Sequence, residues 1–257
     1  MAAALAKGLV NAGLAAPENM IASDPIAAGR EAFGQALGCE TTDSNSEVLA
    51  KAEVIFLAFK PHQLDEATEP VRDQFTDGHL VISILAGVRL TKLDEACGRR
   101  ARVVRVMPNT PCLVGCLAGA MSKGTSCTPE HVDTTARLLG AVGKCHEVPE
   151  SKMDAVTGVS GSGPAYIYQV IEAMADGGVL AGLPRAVAQD LAARTVMGAA
   201  KMVLETGKHP GELKDAVTSP GGTTIAAVHH LEKCGVRAAF QGAVKAAADR
   251  AHELSKS

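Results

Sequence analysis

Apolar residues follow two patterns in the first 150 residues: short continuous runs, and longer segments with helical spacing between them. Continuous runs such as 54–59 and 80–85 are typical of strands that are buried on both faces. Strands are predicted at 20–23, 54–59, 80–85, 102–107, 117–121 and 144–148. Helices are predicted among them, including 1–13, 26–37 and 130–141. This alternation of strands and helices predicts a doubly wound parallel α/β sheet over residues 1–149.

The pattern changes at residue 150, beyond which the sequence predicts helices alone. Their expected ranges are 163–181, 185–206, 211–217, 222–233 and 236–255. The helix around Leu191 is rich in alanine on nearly every face, and a helix without a polar face must be buried in its own domain or against a partner chain. Residues 150–257 are therefore predicted to form an all-α dimerisation domain.

The carboxyl ends of the predicted strands carry candidate binding residues, because ligands of doubly wound sheets bind beyond those ends. These ends are Ser23-Asp24, Phe59-Lys60-Pro61, Leu85-Ala86-Gly87 and Met107-Pro108-Asn109. A nucleotide cofactor is the natural occupant of such a crevice, and Asp24 stands where an acidic residue would meet a ribose 2′-hydroxyl. Asp24 could equally cap the helix that begins near Pro25, and Lys60 could be a solvated lysine at a strand end.

A second candidate site is the loop at residues 219–224, Ser-Pro-Gly-Gly-Thr-Thr, which opens a predicted helix. Pro220 fixes φ, Gly221 and Gly222 permit close backbone approach, and Thr223 and Thr224 place hydroxyls and free N–H groups at the helix N-terminus. Such a terminus suits a small carboxylate, although an ordinary helix cap is the simpler alternative. A second loop rich in Gly and Ser, at 158–166, favours the binding interpretation.

The amino-acid composition excludes several classes of binding partner and of metal site. The net charge is −3 with scattered Lys and Arg, so nucleic acid and acidic membrane surfaces are not expected partners. The seven Cys are irregularly spaced, and the closest pair, Cys112 and Cys116, has no second pair to complete a zinc site. We therefore predict no metal site, reduced structural thiols and a cytoplasmic location, since no signal peptide or membrane-length apolar run is visible.

Four motifs occur in order across nearly the whole chain, and together they resemble the pyrroline-5-carboxylate reductase family. They are Leu-Ala-Phe-Lys-Pro-His at 57–62, Val-Met-Pro-Asn-Thr-Pro at 106–111, Ser-Gly-Ser-Gly-Pro-Ala-Tyr at 160–166 and the loop at 219–224. The resemblance implies reduction of L-1-pyrroline-5-carboxylate to L-proline by NADPH or NADH, the last step of proline biosynthesis. It also implies a Rossmann-like N-terminal domain and helical domains that interleave in a homodimer, which in this family often assembles further into rings.

The resemblance also implies roles for individual residues. Those expected to bind the cofactor are Ser23, Asp24 and Asn45 on the adenosine side, Ala58, Phe59, Lys60, Pro61 and Ala86 in the middle and at the nicotinamide end, and Asn109 nearby. Those expected to bind the substrate are Glu150, Ser219, Gly221, Gly222, Thr223 and Thr224. Thr224 is the candidate catalytic residue, because its hydroxyl can hydrogen-bond to the ring nitrogen. Glu150 could instead simply cap the helix that follows it. Asp24 favours tolerance of, or preference for, NADH, since a carboxylate repels a 2′-phosphate.

The chain departs from the family at its beginning, because family members open with a strand and a Gly-x-Gly turn before the helix that here starts at Met1. We expect that Met1 is an internal start or that the chain is a truncated product, and that the first strand of the sheet is absent. Two alternatives to the reductase remain. One is a truncated homologue that acts only as a helical dimerisation module. The other is a dehydrogenase of the β-hydroxyacid type, although the helix that opens at Gly163 lacks the Lys such enzymes use.

Overall fold

The computed structural model describes residues 1–255, which form two compact units. Unit 1 comprises Met1–Ser162 together with the residues from Ala246 onward, and unit 2 comprises Gly163–Lys245. The contacts therefore divide the chain at Gly163, C-terminal to the predicted domain boundary at residue 150, and return the end of the last helix to unit 1.

Unit 1 contains an α/β fold with seven strands among the described residues. The strands are β1 (Ile21–Ser23), β2 (Glu40–Thr42), β3 (Val54–Leu57), β4 (Leu80–Ser83), β5 (Arg102–Met107), β6 (Leu117–Lys123) and β7 (Gly143–Glu147). Its helices are α1 (Ala2–Asn11), α2 (Ala27–Leu37), α3 (Asn45–Lys51), α4 (Leu64–Thr68), α5 (Leu90–Ala96), α6 (Pro129–Gly140) and α7 (Met153–Val156). This Rossmann-like alternation confirms the predicted fold class.

The strands form two sheets, one of β1-β2 and one of order β3-β4-β5-β6-β7. All neighbouring strands are parallel except β5 and β6, whose antiparallel register places Val104 opposite Lys123 and Met107 opposite Ala120. The expectation of a wholly parallel sheet is wrong at this point. Residues 108–116 are too few for a parallel crossover, which needs about a dozen residues or more, so the chain turns back instead.

Strand β3 lies at the edge of the larger sheet, and no ladder joins it to β1 within residues 1–255. Val54 is consequently 37% exposed and Phe56 only half-buried, whereas all four residues of β4 are buried. The prediction that the run at 54–59 is buried on both faces is therefore wrong for β3. Strand β2 was not predicted, because its Glu-Thr-Thr sequence has no apolar run.

The core of unit 1 lies on the two faces of the larger sheet. Successive residues alternate between the faces, so Val81 and Val103 belong to one apolar cluster and Ile82 and Val104 to the other. Leu5 places α1 in the second of these clusters. Helices thus cover both faces of the sheet, and the ends of its strands are the places where the predicted binding residues lie.

The segment predicted as a second Gly-rich anion loop is mostly helical instead. Helix α7 continues into a π-helical turn at Thr157–Gly161, and α8 begins at Gly163. Ser160 donates its hydroxyl to the Val156 carbonyl, and a Cβ on Gly161 would lie 2.5 Å from Met107 Cε. These residues therefore allow close packing against the end of β5, and the prediction of a loop at 158–166 is wrong.

Unit 2 is helical, as predicted. Its helices are α8 (Gly163–Leu180), α9 (Arg185–Thr206), α10 (Pro210–Ala216), α11 (Thr223–Lys233) and α12 (Val236–Leu254), whose last residues belong to unit 1. Small side chains at Ala175, Ala188 and Ala192 let α8 and α9 pack closely. Large apolar side chains remain uncovered, with Leu180 91% and Leu204 83% exposed, which is typical of an interaction surface. No helix within residues 1–255 has the length and apolarity needed to cross a membrane.

Candidate active site

The carboxyl ends of β1 and β2 bring together the three residues expected on the adenosine side of the cofactor. Ser23 ends β1 and donates its hydroxyl to Asn45 Oδ1 at 2.6 Å, while Asn45 Nδ2 donates to the Ala67 carbonyl at 2.8 Å. Asp24 donates its backbone N–H to the Thr42 carbonyl at 3.1 Å. The ends of β1 and β2 and the start of α3 therefore meet at one edge of unit 1.

The Asp24 carboxylate serves the turn between β1 and α2. Its Oδ1 accepts a hydrogen bond from the Ile26 N–H at 2.8 Å. This contact supports the alternative interpretation of Asp24 as a residue that stabilises the start of α2. Asp24 stays a predicted cofactor-binding residue, now with one carboxylate oxygen already hydrogen-bonded.

The ends of β3 and β4 lie side by side, because the Ile84 N–H donates to the Leu57 carbonyl at 3.1 Å just beyond the ladder. After β3 come Ala58, Phe59, Lys60 and Pro61, and the Lys60 N–H donates to Gln63 Oε1 at 2.9 Å while the side chain of Lys60 is exposed. After β4 comes Ala86, which is exposed. The residues expected along the middle and the nicotinamide end of the cofactor thus share one edge of the sheet.

The crevice fits a nicotinamide dinucleotide. Gly87 has φ of 77°, a conformation that favours glycine, and a Cβ built on it would have no neighbour within 4 Å. The backbone after β4 is therefore open to a ligand, beside the small side chain of Ala86. Ser23 and Asn45 supply a hydroxyl and an amide at the other end. The chemistry of these residues therefore suits the cofactor.

Glu150 makes two hydrogen bonds through one oxygen, which link two parts of unit 1. Its Oε1 accepts from the Leu90 N–H at 2.7 Å and from Arg105 Nη1 at 3.0 Å. Arg105 lies on β5 and is only 4% exposed. The sequence analysis missed Arg105, although a charged residue inside the apolar run 102–107 is a detectable signal. Glu150 stays a predicted substrate residue, and its carboxylate also fixes the start of α5.

Asn109 is buried after β5, and its side-chain amide is used within the protein. Its Nδ2 donates to the Ser160 carbonyl at 3.2 Å, and its Oδ1 accepts from the Ala118 N–H at 3.1 Å. These bonds hold the β5–β6 connection against the π-helical turn. Asn109 stays a predicted neighbour of the nicotinamide, and the observed bonds give it a positioning role.

Unit 2 contains the loop predicted to bind the substrate, between α10 and α11. Gly221 has φ of 68°, and the Gly222 N–H donates to the Ser219 carbonyl at 3.1 Å. A Cβ built on Gly222 would lie 2.3 Å from Ser219 Oγ. The backbone conformation of Gly221 therefore favours glycine, and a side chain at Gly222 would displace the Ser219 hydroxyl.

Helix α11 begins at Thr223 with no side-chain cap on its first turn. The N–H groups of Thr223 and Thr224 have no intrahelical acceptor, since the first bond of the helix runs from the Ala226 N–H to the Gly222 carbonyl at 3.4 Å. Thr224 is half-buried and Thr223 is exposed. Two free backbone donors and a hydroxyl thus face the same helix end, which is what a carboxylate requires.

The cysteines take no part in this site. All seven are free thiols, and burial raises the pKa of the Cys97 and Cys145 thiols to about 12, with Asp94 adding to the effect at Cys97. Burial also raises the pKa of Cys39, Cys112 and Cys127. Thiols held in this state are poor nucleophiles. No cluster of three or more potential metal ligands occurs among residues 1–255.

Comparison with known proteins identifies the family. Residues 150–254 match the family described as pyrroline-5-carboxylate reductase dimerisation, and residues 1–87 match the family described as NADP oxidoreductase, coenzyme F420-dependent. A pyrroline-5-carboxylate reductase from Methanosarcina acetivorans is 48% identical over 256 residues, covering 100% of this chain and 95% of that protein. The chain belongs to the pyrroline-5-carboxylate reductase family. A reductase from Arabidopsis thaliana is 46% identical, with 100% of this chain and 93% of that protein covered.

Solved structures of pyrroline-5-carboxylate reductases have the same fold as this chain. A pyrroline-5-carboxylate reductase from Coxiella burnetii is 34% identical with a TM-score of 0.94, covering 100% of this chain and 95% of that one. The Plasmodium falciparum pyrroline carboxylate reductase, solved with NADP bound, is 31% identical with a TM-score of 0.86, covering 98% and 93% of the two chains. A prephenate dehydrogenase from Aquifex aeolicus shares the fold alone, at 13% identity and a TM-score of 0.52. The β-hydroxyacid dehydrogenase and the non-catalytic module are therefore not favoured.

Proposed function

We propose that this chain reduces L-1-pyrroline-5-carboxylate to L-proline with NADPH or NADH, as the last step of proline biosynthesis. The full-length similarity to pyrroline-5-carboxylate reductases supports the reaction. The single structural observation that carries the substrate assignment is the uncapped N-terminus of α11 behind the loop at 219–224. The substrate is a five-membered ring with a carboxylate and a C=N bond, and each group needs a partner.

The carboxylate binds at the loop. The free N–H groups of Thr223 and Thr224 donate to its oxygens, and the positive end of the α11 dipole stabilises its charge. The positive φ of Gly221 turns the chain so that the helix end faces the ligand, and Gly222 lets Ser219 close the loop without a side chain between them. Ser219 is exposed, so its hydroxyl is available as a further donor.

Thr224 acts on the ring nitrogen. Its hydroxyl makes no hydrogen bond to another residue within 1–255, so it is free to bond to the substrate, and half-burial limits competing water. Reduction adds a hydride to the imine carbon and a proton, taken up from solvent, to the nitrogen, so a hydroxyl hydrogen-bonded to that nitrogen orients the ring throughout. The reduced nicotinamide, when bound, supplies the hydride. The protein contributes positioning, which by itself lowers the barrier by several kcal/mol, up to ~7–11 kcal/mol in well-oriented systems.

The crevice of unit 1 holds the cofactor. Ser23, Asp24 and Asn45 line the adenosine end, and Ala58, Phe59, Lys60, Pro61 and Ala86 line the rest, with Asn109 fixing the adjoining connection. Within unit 1, Glu150 holds the start of α5, directly after the Ala86 loop, and we keep it as a substrate-binding residue of the proposal.

Self-association is part of this function. The match of residues 150–254 to the family's dimerisation segment and the exposed apolar side chains of unit 2 support a homodimer, and the proposal includes assembly of these dimers into rings. The seven free thiols support a reducing compartment such as the cytoplasm.

The test uses the purified chain with pyrroline-5-carboxylate, and follows oxidation of NADPH or NADH together with formation of proline. We expect turnover with the wild type and a loss of kcat/KM of ~10- to 100-fold in Thr224→Val, from the loss of one hydrogen bond to the reacting ring. Thr195→Val is the matched control, because Thr195 is exposed on α9 and donates only to the Leu191 carbonyl. Absence of proline formation, or equal effects of the two variants, would contradict the proposal.

A further inference from the structure

We propose that Arg30 binds the 2′-phosphate of the cofactor and makes the enzyme prefer NADPH over NADH. This inference rests on the proposed function, because it assigns a residue to the adenosine end of the same crevice. Arg30 lies in the first turns of α2, directly after the turn that follows β1. Its Nη1 donates to the Asp24 carbonyl at 2.8 Å and to the Pro25 carbonyl at 3.2 Å. The guanidinium is therefore held against the turn where a ribose 2′-substituent would lie.

The structure changes what Asp24 alone implied. Its Oδ1 accepts from the Ile26 N–H at 2.8 Å, and a Cβ built on Gly29 would lie 2.8 Å from its Oδ2. The carboxylate is thus directed into the N-terminal turn of α2, where backbone N–H groups stabilise its charge. One carboxylate oxygen of Asp24 is thus already hydrogen-bonded within the protein, so Asp24 by itself does not decide between NADH and NADPH.

Arg30 retains unused donors. Both of its hydrogen bonds come from Nη1, while Nε and Nη2 have no hydrogen bond or ion pair with any residue that the structure describes. Its charge is therefore not neutralised by a carboxylate, although the side chain is half-buried. A guanidinium anchored through one nitrogen presents the remaining N–H groups in a fixed fork, and that geometry matches a phosphate group.

The neighbouring groups agree with a phosphate at this position. Ser23 and Asn45 are joined at 2.6 Å at the end of β1, and they bring neutral polar groups with no further negative charge. Glu31 is the acidic residue next to Arg30 in the sequence, and the two form no salt bridge in the part of the chain that the structure describes. Asp24 is the one nearby carboxylate with a defined contact, and it faces the α2 backbone.

The decisive experiment measures binding of nucleotide fragments, independently of turnover. Isothermal titration of the purified chain with adenosine 2′,5′-bisphosphate and with 5′-AMP isolates the contribution of the 2′-phosphate. We expect Arg30→Ala to weaken binding of the bisphosphate by ~10- to 100-fold and to change 5′-AMP binding less than ~2-fold, with Arg30→Lys in between. The ratio of KM values for NADPH and NADH should shift by a similar factor.

Arg137→Ala is the matched control, because Arg137 is an exposed arginine on α6 and should change neither affinity. Equal weakening of both fragments by Arg30→Ala would show that Arg30 only holds the β1–α2 turn, and would overturn the inference. An unchanged affinity for the bisphosphate would overturn it as well. If the wild type bound 5′-AMP and reduced its substrate with NADH but did not bind the bisphosphate, the inference would fail while the proposed function stood.

Discussion

Arg105 Nη1 lies 3.0 Å from Glu150 Oε1, and this ion pair joins the middle strand of the five-stranded sheet to the segment that leads into the helical part of the chain. The arginine side chain is 5% exposed and the glutamate side chain 30% exposed. The same glutamate oxygen accepts from the Leu90 N–H, at the start of α5. One carboxylate therefore satisfies a buried charge and a helix terminus together, next to the loop that carries Ala86.

Removing this carboxylate should be strongly destabilising. Glu150→Ala leaves the Arg105 guanidinium buried without a partner and the Leu90 N–H without an acceptor, so we expect a loss of ~3–5 kcal/mol in the free energy of unfolding. Glu150→Gln keeps an acceptor for Leu90 and should lose clearly less. Urea denaturation of the two variants measures the difference. Equal losses would mean that the charge of Glu150 contributes nothing.

The substrate loop should depend on Gly222 for steric reasons. In Gly222→Ala, the new methyl group would lie 2.3 Å from Ser219 Oγ, so the Ser219 hydroxyl must turn away from its position in the loop. We expect KM for pyrroline-5-carboxylate to rise ~10-fold or more while the affinity for NADPH stays unchanged. Gly235→Ala is the control, since Gly235 has φ of 70° and open space around it, so it introduces backbone strain without a clash. A parallel rise of KM in both variants would contradict this explanation.

Thiol reactivity should follow burial. Cys97 and Cys145 are buried with pKa values raised to about 12, so at pH 8 they should resist alkylation in the folded protein. Cys116 and Cys234 are exposed and should react first. Peptide mapping after brief treatment with iodoacetamide identifies the modified sites, and treatment in urea, where all seven cysteines should react, is the control. Early alkylation of Cys97 in the folded protein would show that its environment is open.

The same thiols make a defined contribution to alkaline instability. The pKa of the Cys97 thiol is 9.0 when unperturbed and about 12 in the folded protein, so between these values the unfolded chain loses a proton that the folded chain keeps. Stability is therefore unaffected below pH 9 and falls as the pH rises, by ~1.4 kcal/mol per pH unit for each such thiol. Cys97→Ala should show a shallower decline than the wild type above pH 9. Identical slopes in urea denaturation series would contradict the assignment.

Most of the fold could be predicted because hydrophobic periodicity reports local structure directly. The five helices of unit 2 begin and end within a residue or two of their expected positions, as in α9 at Arg185–Thr206. The elements that were not predicted from the sequence depend on tertiary contacts. Strand β2 is three polar residues that are strand only because they pair with β1, and the reversal at β6 is set by the length of a connection rather than by its composition.

The candidate site could be predicted as a set of positions but not as a set of contacts. The family resemblance assigned Ser23 and Asn45 to the same end of the cofactor, and the structure joins these two residues by a hydrogen bond. The orientation of the Asp24 carboxylate, the anchoring of Arg30 and the pairing of Arg105 with Glu150 each depend on a backbone group or side chain distant from the motif. A sequence pattern carries no information about which way a side chain turns within its site.

The central claim is that the chain transfers a hydride to the imine carbon of pyrroline-5-carboxylate, and isotope transfer tests it most directly. The purified chain is incubated with the substrate and with NADPH that carries deuterium at the transferable position of the nicotinamide, and the proline formed is analysed by mass spectrometry. The account predicts proline with one deuterium, on the ring carbon that adjoins the nitrogen and lies away from the carboxylate, and a matching loss in rate for Thr224→Val but not for Thr195→Val. Proline without deuterium, or no proline at all, would contradict it.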